Sequence, residues 1–449
     1  MNYRKHISPA KLITLGFLFV MLIGGSLLCF PVSSRAGSFT SPETAYFTAV
    51  SATCVTGLVI EDTATYWSTF GQIVILIMIQ IGGLGFMSLA VMLAGFLKRG
   101  ISPYESVIAA QSYGFSRSGD SGEMLKWIAG GTFSLELFGA LLLSIRFIPE
   151  YGVKSGIYRS VFLSVSAFCN AGFDILGDRH GAFSSLFDYR ADPLISLVIA
   201  FLILTGGIGF LVWRDLFGRL KGKRIGIYAK TILIVSAVMV VFGTVFFAVS
   251  EWNNPETLGT LDFPGKLVAS FFLSVTPRTA GFSGVPFEAL RQPSLILALL
   301  LMFVGGAAGS TAGGAKMGTV TVVFLSVFAT LRGRTRAGLF RHTIRNENVL
   351  RAFTLVFLHA GTILIGSLLL LTDPAAGSFS RVLFEGTSAA STVGLSMGLT
   401  PRLSLFSHLI LMIMMIFGRI GILTISCSLS TKLSQKDNGI VYAETEILM

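Results

Sequence analysis

The chain has 449 residues, of which 53% are hydrophobic and only 13% are charged. Soluble globular domains carry about 25% charged residues, so this composition excludes a soluble domain and indicates a helical protein that crosses a membrane several times. The net charge of +11 would suit nucleic acid, but the basic residues are concentrated in alternate loops. We therefore predict membrane lipid, and no nucleic acid, as a partner.

Long apolar runs predict eight membrane helices. In chain order they are 12–31, 70–97, 124–148, 192–217, 228–250, 293–331, 349–372 and 404–430. The first run is long for a signal peptide and no small-residue cleavage site follows it, so we interpret it as a retained span. Basic residues cluster before the first helix and after every second helix, and the positive-inside rule then places both termini in the cytoplasm.

Shorter segments lie on the opposite side, one between the two helices of each pair. They are 41–58, 156–173, 262–282 and 378–395. Because none is long enough to cross a bilayer, we predict half-helices that enter the membrane and return as a loop. A glycine closes each loop, and successive glycines are 109 to 115 residues apart: Gly57, Gly172, Gly281 and Gly394. A second glycine follows 24 to 34 residues later, at Gly82, Gly206, Gly305 and Gly418.

Two glycine series with one internal period indicate a repeated unit. The sequence therefore predicts an all-α integral membrane protein of four helix–re-entrant pore loop–helix repeats, with fourfold pseudosymmetry around one pore. We assign residues 1–100 to repeat 1, 101–222 to repeat 2, 223–335 to repeat 3 with a broken second helix and an intramembrane loop, 336–432 to repeat 4, and 433–449 to a cytoplasmic C-terminal tail.

The four loops have the composition of an ion selectivity filter. Backbone carbonyls can replace the water shell of a cation when consecutive residues point them at one axis, and glycine permits the required backbone. The candidate filter residues are Cys54, Val55, Thr56, Gly57, Cys169, Asn170, Ala171, Gly172, Arg278, Thr279, Ala280, Gly281, Ser391, Thr392, Val393 and Gly394. One such match alone is usually a turn or a packing glycine, but four matches in register favour a filter that binds potassium at backbone carbonyls.

Carboxylates follow the first two loops, at Glu61, Asp62, Asp174 and Asp178. They would concentrate cations at the mouth of a pore. Equally, they are ordinary solvated loop residues.

The sixth predicted helix is too long and too rich in glycine to be continuous. At 39 residues it would measure about 58 Å against a hydrocarbon core of about 30 Å. We predict two half-helices joined by a loop that lies below the filter and acts as a gate. The candidate gate residues are Gly305, Gly306, Gly309, Ser310, Thr311, Gly313, Gly314, Lys316 and Arg419. The alternative is a tight helix crossing that requires small residues.

Three charged residues lie within apolar segments, where charges are costly and usually functional. Lys316 is not part of a phosphate-binding loop, because Ala315 separates it from Gly314 and Met317 follows it. Arg419 stands where the other repeats have a second glycine, and we expect it to bind carbonyls of the intramembrane loop or to face the ion path. The alternative for Arg419 is to reach the cytoplasmic surface. The sequence names no partner for the third residue, Glu136.

Four motifs together carry a family resemblance: "SVTPRTAGF" at 274–282, "STVGL" at 391–395, "GGAAGSTAGGAK" at 305–316 and "GRIG" at 418–421. The chain resembles the Trk/Ktr/HKT superfamily of potassium transporters, and within it the membrane subunit of the Ktr type. The resemblance implies a bacterial plasma-membrane protein that forms a homodimer above a cytosolic ring of nucleotide-binding regulator subunits of the RCK type. In this superfamily a serine in place of a filter glycine accompanies sodium transport.

The expected function is potassium uptake through a channel-like pore, with sodium as a further candidate ion. No organic cofactor is expected in this chain. The alternative is a secondary transporter coupled to Na+ or H+, although such proteins often have inverted repeats and intramembrane carboxylates. An enzyme is not expected, because no nucleophile–base pair or cluster of metal ligands is evident.

Overall fold

The computed structural model describes residues 9–85, 121–220 and 222–421, and these are mostly helical. The helices are α1 Pro9–Cys29, α2 Pro42–Thr53, α3 Thr63–Tyr66, α4 Thr69–Leu84, α5 Ser121–Tyr151, α6 Val153–Phe168, α7 Gly177–His180, α8 Pro193–Gly207, α9 Phe210–Leu220, α10 Ile227–Glu251, α11 Phe263–Val275, α12 Gln292–Phe303, α13 Met317–Leu331, α14 Asn346–Leu370, α15 Phe379–Ala390 and α16 Leu405–Ile420. Short 3₁₀ turns lie at Pro31–Ser33, Phe187–Tyr189, Phe287–Ala289 and Thr400–Arg402, and strand β1, Gly338–Leu339, pairs with antiparallel β2, His342–Thr343.

Within these ranges α1, α5, α10 and α14 are each long and apolar enough to cross a membrane, and the bent pair α8–α9 would make a fifth span. The apolar helices α4, α12, α13 and α16 are shorter. Large apolar side chains such as Phe19, Leu141 and Phe357 are exposed on the outer surface, as expected where helices face lipid. The chain is therefore a multi-pass helical membrane protein. The predicted tail at 433–449 and the distal ends of the predicted helices 70–97 and 404–430 lie outside the described residues.

The four predicted half-helices are α2, α6, α11 and α15, and they occupy the centre of the protein. They are 12 to 16 residues long, so none of them spans a bilayer. Most of their hydroxyl residues are buried, and Ser51, Ser164 and Ser388 are fully so. Apolar side chains outside and buried hydroxyls inside reverse the pattern of a soluble protein, because the surrounding solvent is lipid.

Three of the helices that follow the loops stop just after the second glycine series, whereas α12 ends at Phe303, before Gly305. Gly85, Gly209 and Gly421 follow α4, α8 and α16, and all three have left-handed backbone, with φ of +79°, +88° and +89°. A side chain is strained at such φ, so glycine suits these positions. The last carbonyl groups of each of these helices therefore lack a partner within the helix and require one elsewhere in the protein.

The prediction of one continuous helix over 192–217 was wrong. The chain bends by 98° between α8 and α9, at Ile208 and Gly209. The carbonyl groups of Gly206 and Gly207 accept hydrogen bonds from the backbone N–H groups of Thr311 and Ala307, at 3.3 and 2.9 Å. These N–H groups therefore pair the last carbonyl groups of α8, which would have bonded within the helix if it had continued.

A non-helical segment also interrupts the sixth predicted helix. Residues 304–316 separate α12 from α13, and we call this segment the intramembrane loop. Val304 and Ala315 form a parallel bridge at its base, and the N–H of Met317 donates to the carbonyl of Gly306 at 3.0 Å. The segment is thus an ordered loop with its own hydrogen bonds, held at both ends.

Candidate ion pathway

Each of the four loops has two residues with left-handed backbone, separated by one residue. The pairs are Val55 and Gly57 (φ +56° and +94°), Asn170 and Gly172 (+57° and +70°), Thr279 and Gly281 (+64° and +80°), and Thr392 and Gly394 (+52° and +93°). Positive φ is rare for β-branched residues, and three of the non-glycine members are valine or threonine. Such strain persists where the surroundings impose it, and it is common at functional sites.

Hydrogen bonds to the half-helices hold this backbone in place. In the first, second and fourth loops the N–H of Thr56, Ala171 and Val393 donates to a carbonyl five residues earlier, at 2.8 Å in each case. In the third loop Ala280 instead donates to Thr276, four residues earlier, at 3.0 Å. The difference coincides with Pro277, which has no N–H to donate.

The carbonyl groups of the same four residues are free for another partner. No hydrogen bond within the described residues ends on the carbonyl oxygen of Thr56, Ala171, Ala280 or Val393. Buried carbonyl groups normally have a partner, so four free ones at equivalent positions indicate a site for a ligand.

The four glycines meet in a closed ring. A Cβ added to Gly57 would lie within 3.0 Å of Ala171 O, and one added to Gly172 within 3.0 Å of Ala280 O. A Cβ added to Gly281 would likewise lie within 3.0 Å of Val393 O, and one added to Gly394 within 3.0 Å of Thr56 O. Each loop thus touches the next, and the fourth touches the first. Glycine is required at these positions by both the backbone angle and the close approach.

A cavity of about 380 Å³ opens on one side of this ring, and we call it the vestibule. It is lined by all four glycines and by the charged residues Asp62, Asp174, Glu288 and Arg402. Of the carboxylates predicted at a pore mouth, Asp62 and Asp174 therefore line it, whereas Asp178 pairs with Arg159 at 2.6 Å. Glu288 was not predicted from the sequence.

Asp62 and Asp174 are fixed by local hydrogen bonds. Asp62 accepts the N–H of Thr65 at 2.9 Å and so caps α3, and Asp174 accepts the N–H of Leu176 at 3.1 Å. Burial and the nearby Asp62 raise the pKa of Asp174 to about 7. The charge of the vestibule consequently changes near neutral pH.

The intramembrane loop lies on the side of the ring opposite the vestibule. Thr311 Oγ1 donates at 3.1 Å to the carbonyl of Phe168, the last residue of α6. A Cβ on Gly313 would overlap the side chain of Thr392, and one on Gly314 would lie 3.4 Å from Cβ of Ser391. The loop therefore contacts the second and fourth loops directly.

The remaining candidate gate residues lie in the same loop, and several of them shape it. Gly309 and Gly314 have positive φ of +68° and +65°, and Ser310 Oγ donates to the carbonyl of Ala307 at 2.7 Å. Gly305 packs against the carbonyl of Gly313, and Gly306 against Ala312. The glycines thus allow the two sides of the loop to pack closely.

The two basic residues among the gate candidates have different partners. Lys316 Nζ donates within the loop, to Ala312 O at 2.7 Å and Gly313 O at 3.5 Å. Arg419 donates to Thr311 O in the loop, to Gly82 O and, at 3.1 Å, to Gly83 O at the C-terminal end of α4. The guanidinium therefore points into the protein and joins three segments: the loop, α4 and its own helix α16.

Two further residues support the site and were not predicted from the sequence. His359 Nε2 lies 3.1 Å from Ser391 Oγ, and a lone histidine in an apolar helix was the signal for it. Buried Glu385 accepts the N–H groups of Leu399 and Thr400 at 3.2 and 2.9 Å, which holds the chain that follows Gly394. An acidic residue inside a half-helix was the signal for Glu385.

The four short buried helices thus end in a ring of loops whose unpaired carbonyls lie between a charged vestibule and the intramembrane loop, an arrangement suited to binding a cation. The model of the TrkH family, described as a cation transport protein, matches residues 23–439. The chain belongs to this family, and it is therefore a transport protein and not an enzyme.

Related proteins cover nearly the whole chain. The potassium/sodium uptake protein NtpJ of Enterococcus hirae is 38% identical over 99% of this chain and 98% of its own. The Ktr system potassium uptake protein B of Bacillus subtilis is 37% identical over 98% of this chain and 96% of its own. The crystal structure of the potassium transporter TrkH from Vibrio parahaemolyticus has a TM-score of 0.75 at 16% identity, covering 96% of this chain and 86% of that one. The last similarity supports the fold alone.

Proposed function

We propose that the chain takes up potassium through a channel-like pore whose selectivity filter is the ring of four loops. The single observation that carries this proposal is the closed ring in which each loop repeats the same pair of left-handed residues and presents a free carbonyl. Such carbonyls bind a dehydrated cation without net charge. The C-terminal ends of α2, α6, α11 and α15 meet at the ring, and their dipoles favour a positive ion.

Potassium is the preferred ion in this proposal. Two relatives with more than a third of their residues identical are named for potassium uptake, and one of these names includes sodium. All four loops have glycine at the closing position, and none has the serine that accompanies sodium transport in the superfamily this chain resembles. Sodium is a second transported ion in this proposal.

The proposed pore consists of four pseudosymmetric repeats in the order given above. We assign the intramembrane loop the role of gate, because it lies under the ring and bonds to α6 through Thr311. Arg419 holds the gate through Thr311 O.

The proposed assembly follows the Ktr type. It is a homodimer in the bacterial plasma membrane with both termini in the cytoplasm and a cytosolic regulator ring below it. The printed name of the Bacillus subtilis relative, a protein of a Ktr system, supports a partner subunit.

Substitution of Gly394 by serine tests the filter. The new side chain would enter strained backbone and press on Thr56 O, which costs about 1–3 kcal/mol. We expect rubidium flux into proteoliposomes, or its preference over sodium, to fall about tenfold. The matched control is Gly377→Ser, because Gly377 also has positive φ, +71°, but has no atom within 4 Å of an added Cβ. Equal flux and equal selectivity in the two variants would contradict the assignment of Gly394 to the filter.

A further inference from the structure

A second cavity lies on the outer surface of the protein, away from the vestibule. It has a volume of about 350 Å³, within the range of small-molecule sites, and lies between α4, α5 and α6. Its lining is apolar except for two residues, Gln80 and Glu136, and we call it the Glu136 cavity. Ile77 and Leu137 line it with 53% and 61% of their surface exposed, so the cavity opens toward the lipid.

Glu136 is 5% exposed and only part of its carboxylate is paired. Oε1 accepts a hydrogen bond from Gln80 Nε2 at 3.0 Å and a weak one from the thiol of Cys169 at 3.9 Å. No described residue donates to Oε2. The same thiol lies 3.9 Å from Gln80 Oε1, and its single hydrogen can bond to only one of the two oxygens. The cavity therefore contains two acceptors that lack a strong donor, Glu136 Oε2 and Gln80 Oε1. Buried polar atoms without a hydrogen-bond partner are costly.

We propose that the Glu136 cavity binds a lipid-soluble amine, with the ammonium group on Glu136 and the apolar body along the lining of α4, α5 and α6. An ammonium group carries three donors and no acceptor, which matches Glu136 Oε2 and Gln80 Oε1. An amine can take up the proton of the Glu136 carboxyl and form an ammonium–carboxylate pair, whereas an alcohol cannot, and an anionic amphiphile offers no base of comparable strength. The exposed rim allows entry from the bilayer.

The site is independent of which ion the protein carries. Its location nevertheless connects it to the loops, because the Cys169 thiol donates to Glu136 and Cys169 directly follows the last residue of α6. A bound amine would therefore lie one side chain away from the second loop.

The test uses the full chain in phosphatidylcholine nanodiscs. The probe is dicyclohexylcarbodiimide, an apolar reagent that reacts with carboxyl groups. The carboxyl O–H of the protein adds across a carbon–nitrogen double bond of the reagent, and no atom is lost. Labelling is measured by peptide mass spectrometry. We expect Glu136 to be modified and dodecylamine to reduce its total modification at least threefold, whereas dodecanol does not. Total modification counts the dicyclohexyl adduct and the dodecylamide together, because a primary amine can also capture the activated carboxyl and release dicyclohexylurea. Glu251 and Glu385, which are fully buried with hydrogen-bond partners, are internal controls that should stay unlabelled.

A matched pair of variants tests the cavity itself. Ala140 lines the cavity and is 6% exposed, so Ala140→Phe should fill it and abolish both the labelling and the effect of the amine. Leu141→Phe on the adjacent lipid-facing position should change neither. An unlabelled Glu136 in the parent chain, protection below threefold, or equal protection by dodecanol would overturn the proposal. The parent-chain comparison decides the matter even if Ala140→Phe does not fold.

Discussion

Replacement of Arg419 by glutamine tests the gate most sharply, because this side chain joins the intramembrane loop to two helices. The guanidinium donates to Thr311 O in the loop and to Gly82 O and Gly83 O in α4. Glutamine is shorter, neutral and has one donor group, so we expect it to lose the bond to the loop.

The magnitude follows from that one bond. A hydrogen bond from a charged donor contributes about 1.5–3 kcal/mol. The bonds to α4 hold whether or not the loop is in place, so of these three bonds the one to Thr311 O biases the loop toward the closed position. Its loss should increase the open population, and hence the flux, by roughly 10- to 150-fold.

The assay is rubidium uptake into proteoliposomes at equal protein content. Arg146→Gln is the matched control, because Arg146 pairs with Asp192 at 3.0 Å on the surface and has no contact with the loop. A variant at Arg419 that elutes like the parent chain and has the same flux, within about twofold, would refute the role of Arg419 in holding the loop.

Two further predictions concern the loop and the vestibule. Deletion of Ala307–Gly313 removes the bonds of the intramembrane loop to α6, α8 and Arg419, so uptake should rise at least as much as in the Arg419 variant. Unchanged uptake by a folded deletion variant would show that the loop does not obstruct the path. The pKa of Asp174 is raised to about 7, so the carboxyl is neutral below that pH and charged above it, and cation uptake should increase as the pH on the vestibule side rises through 7. A unit charge about 8 Å from an ion in water contributes about 0.5 kcal/mol, so uptake should change about twofold. This pH dependence should vanish in Asp174→Asn. It should persist in the control Glu256→Gln, which alters an exposed carboxylate outside the vestibule.

The sequence alone was sufficient to recognise the family and the short buried helices, because both depend on local features. The period of Gly57, Gly172, Gly281 and Gly394 located the loops, and the length of the run at 293–331 indicated its break. Arg419 stood out because it interrupts a glycine register. In each case a residue type that is unusual in its local context carried the information.

The features that the sequence did not show depend on distant partners. "LTGGIGF" at 204–210 resembles "QIGGLGF" at 80–86, but the break after Gly207 is stabilised by N–H groups a hundred residues later in the chain. Gln80 as the partner of Glu136, and Arg159 as the partner of Asp178, likewise required the fold. No local pattern specifies which polar groups meet when helices pack.

The most direct test of the central proposal is ion current through the purified chain in a planar bilayer, with equal potassium and equal pH on both sides. The variant lacking Ala307–Gly313 is measured beside the parent chain, because the proposed gate should then be absent. A pore lined by the four loops predicts a potassium current driven by voltage alone, larger in the deletion variant and reduced when Gly394→Ser is added. Transport that occurs only when a proton or sodium gradient is imposed, with no current under voltage alone in either protein, would contradict the proposal and favour the coupled transporter.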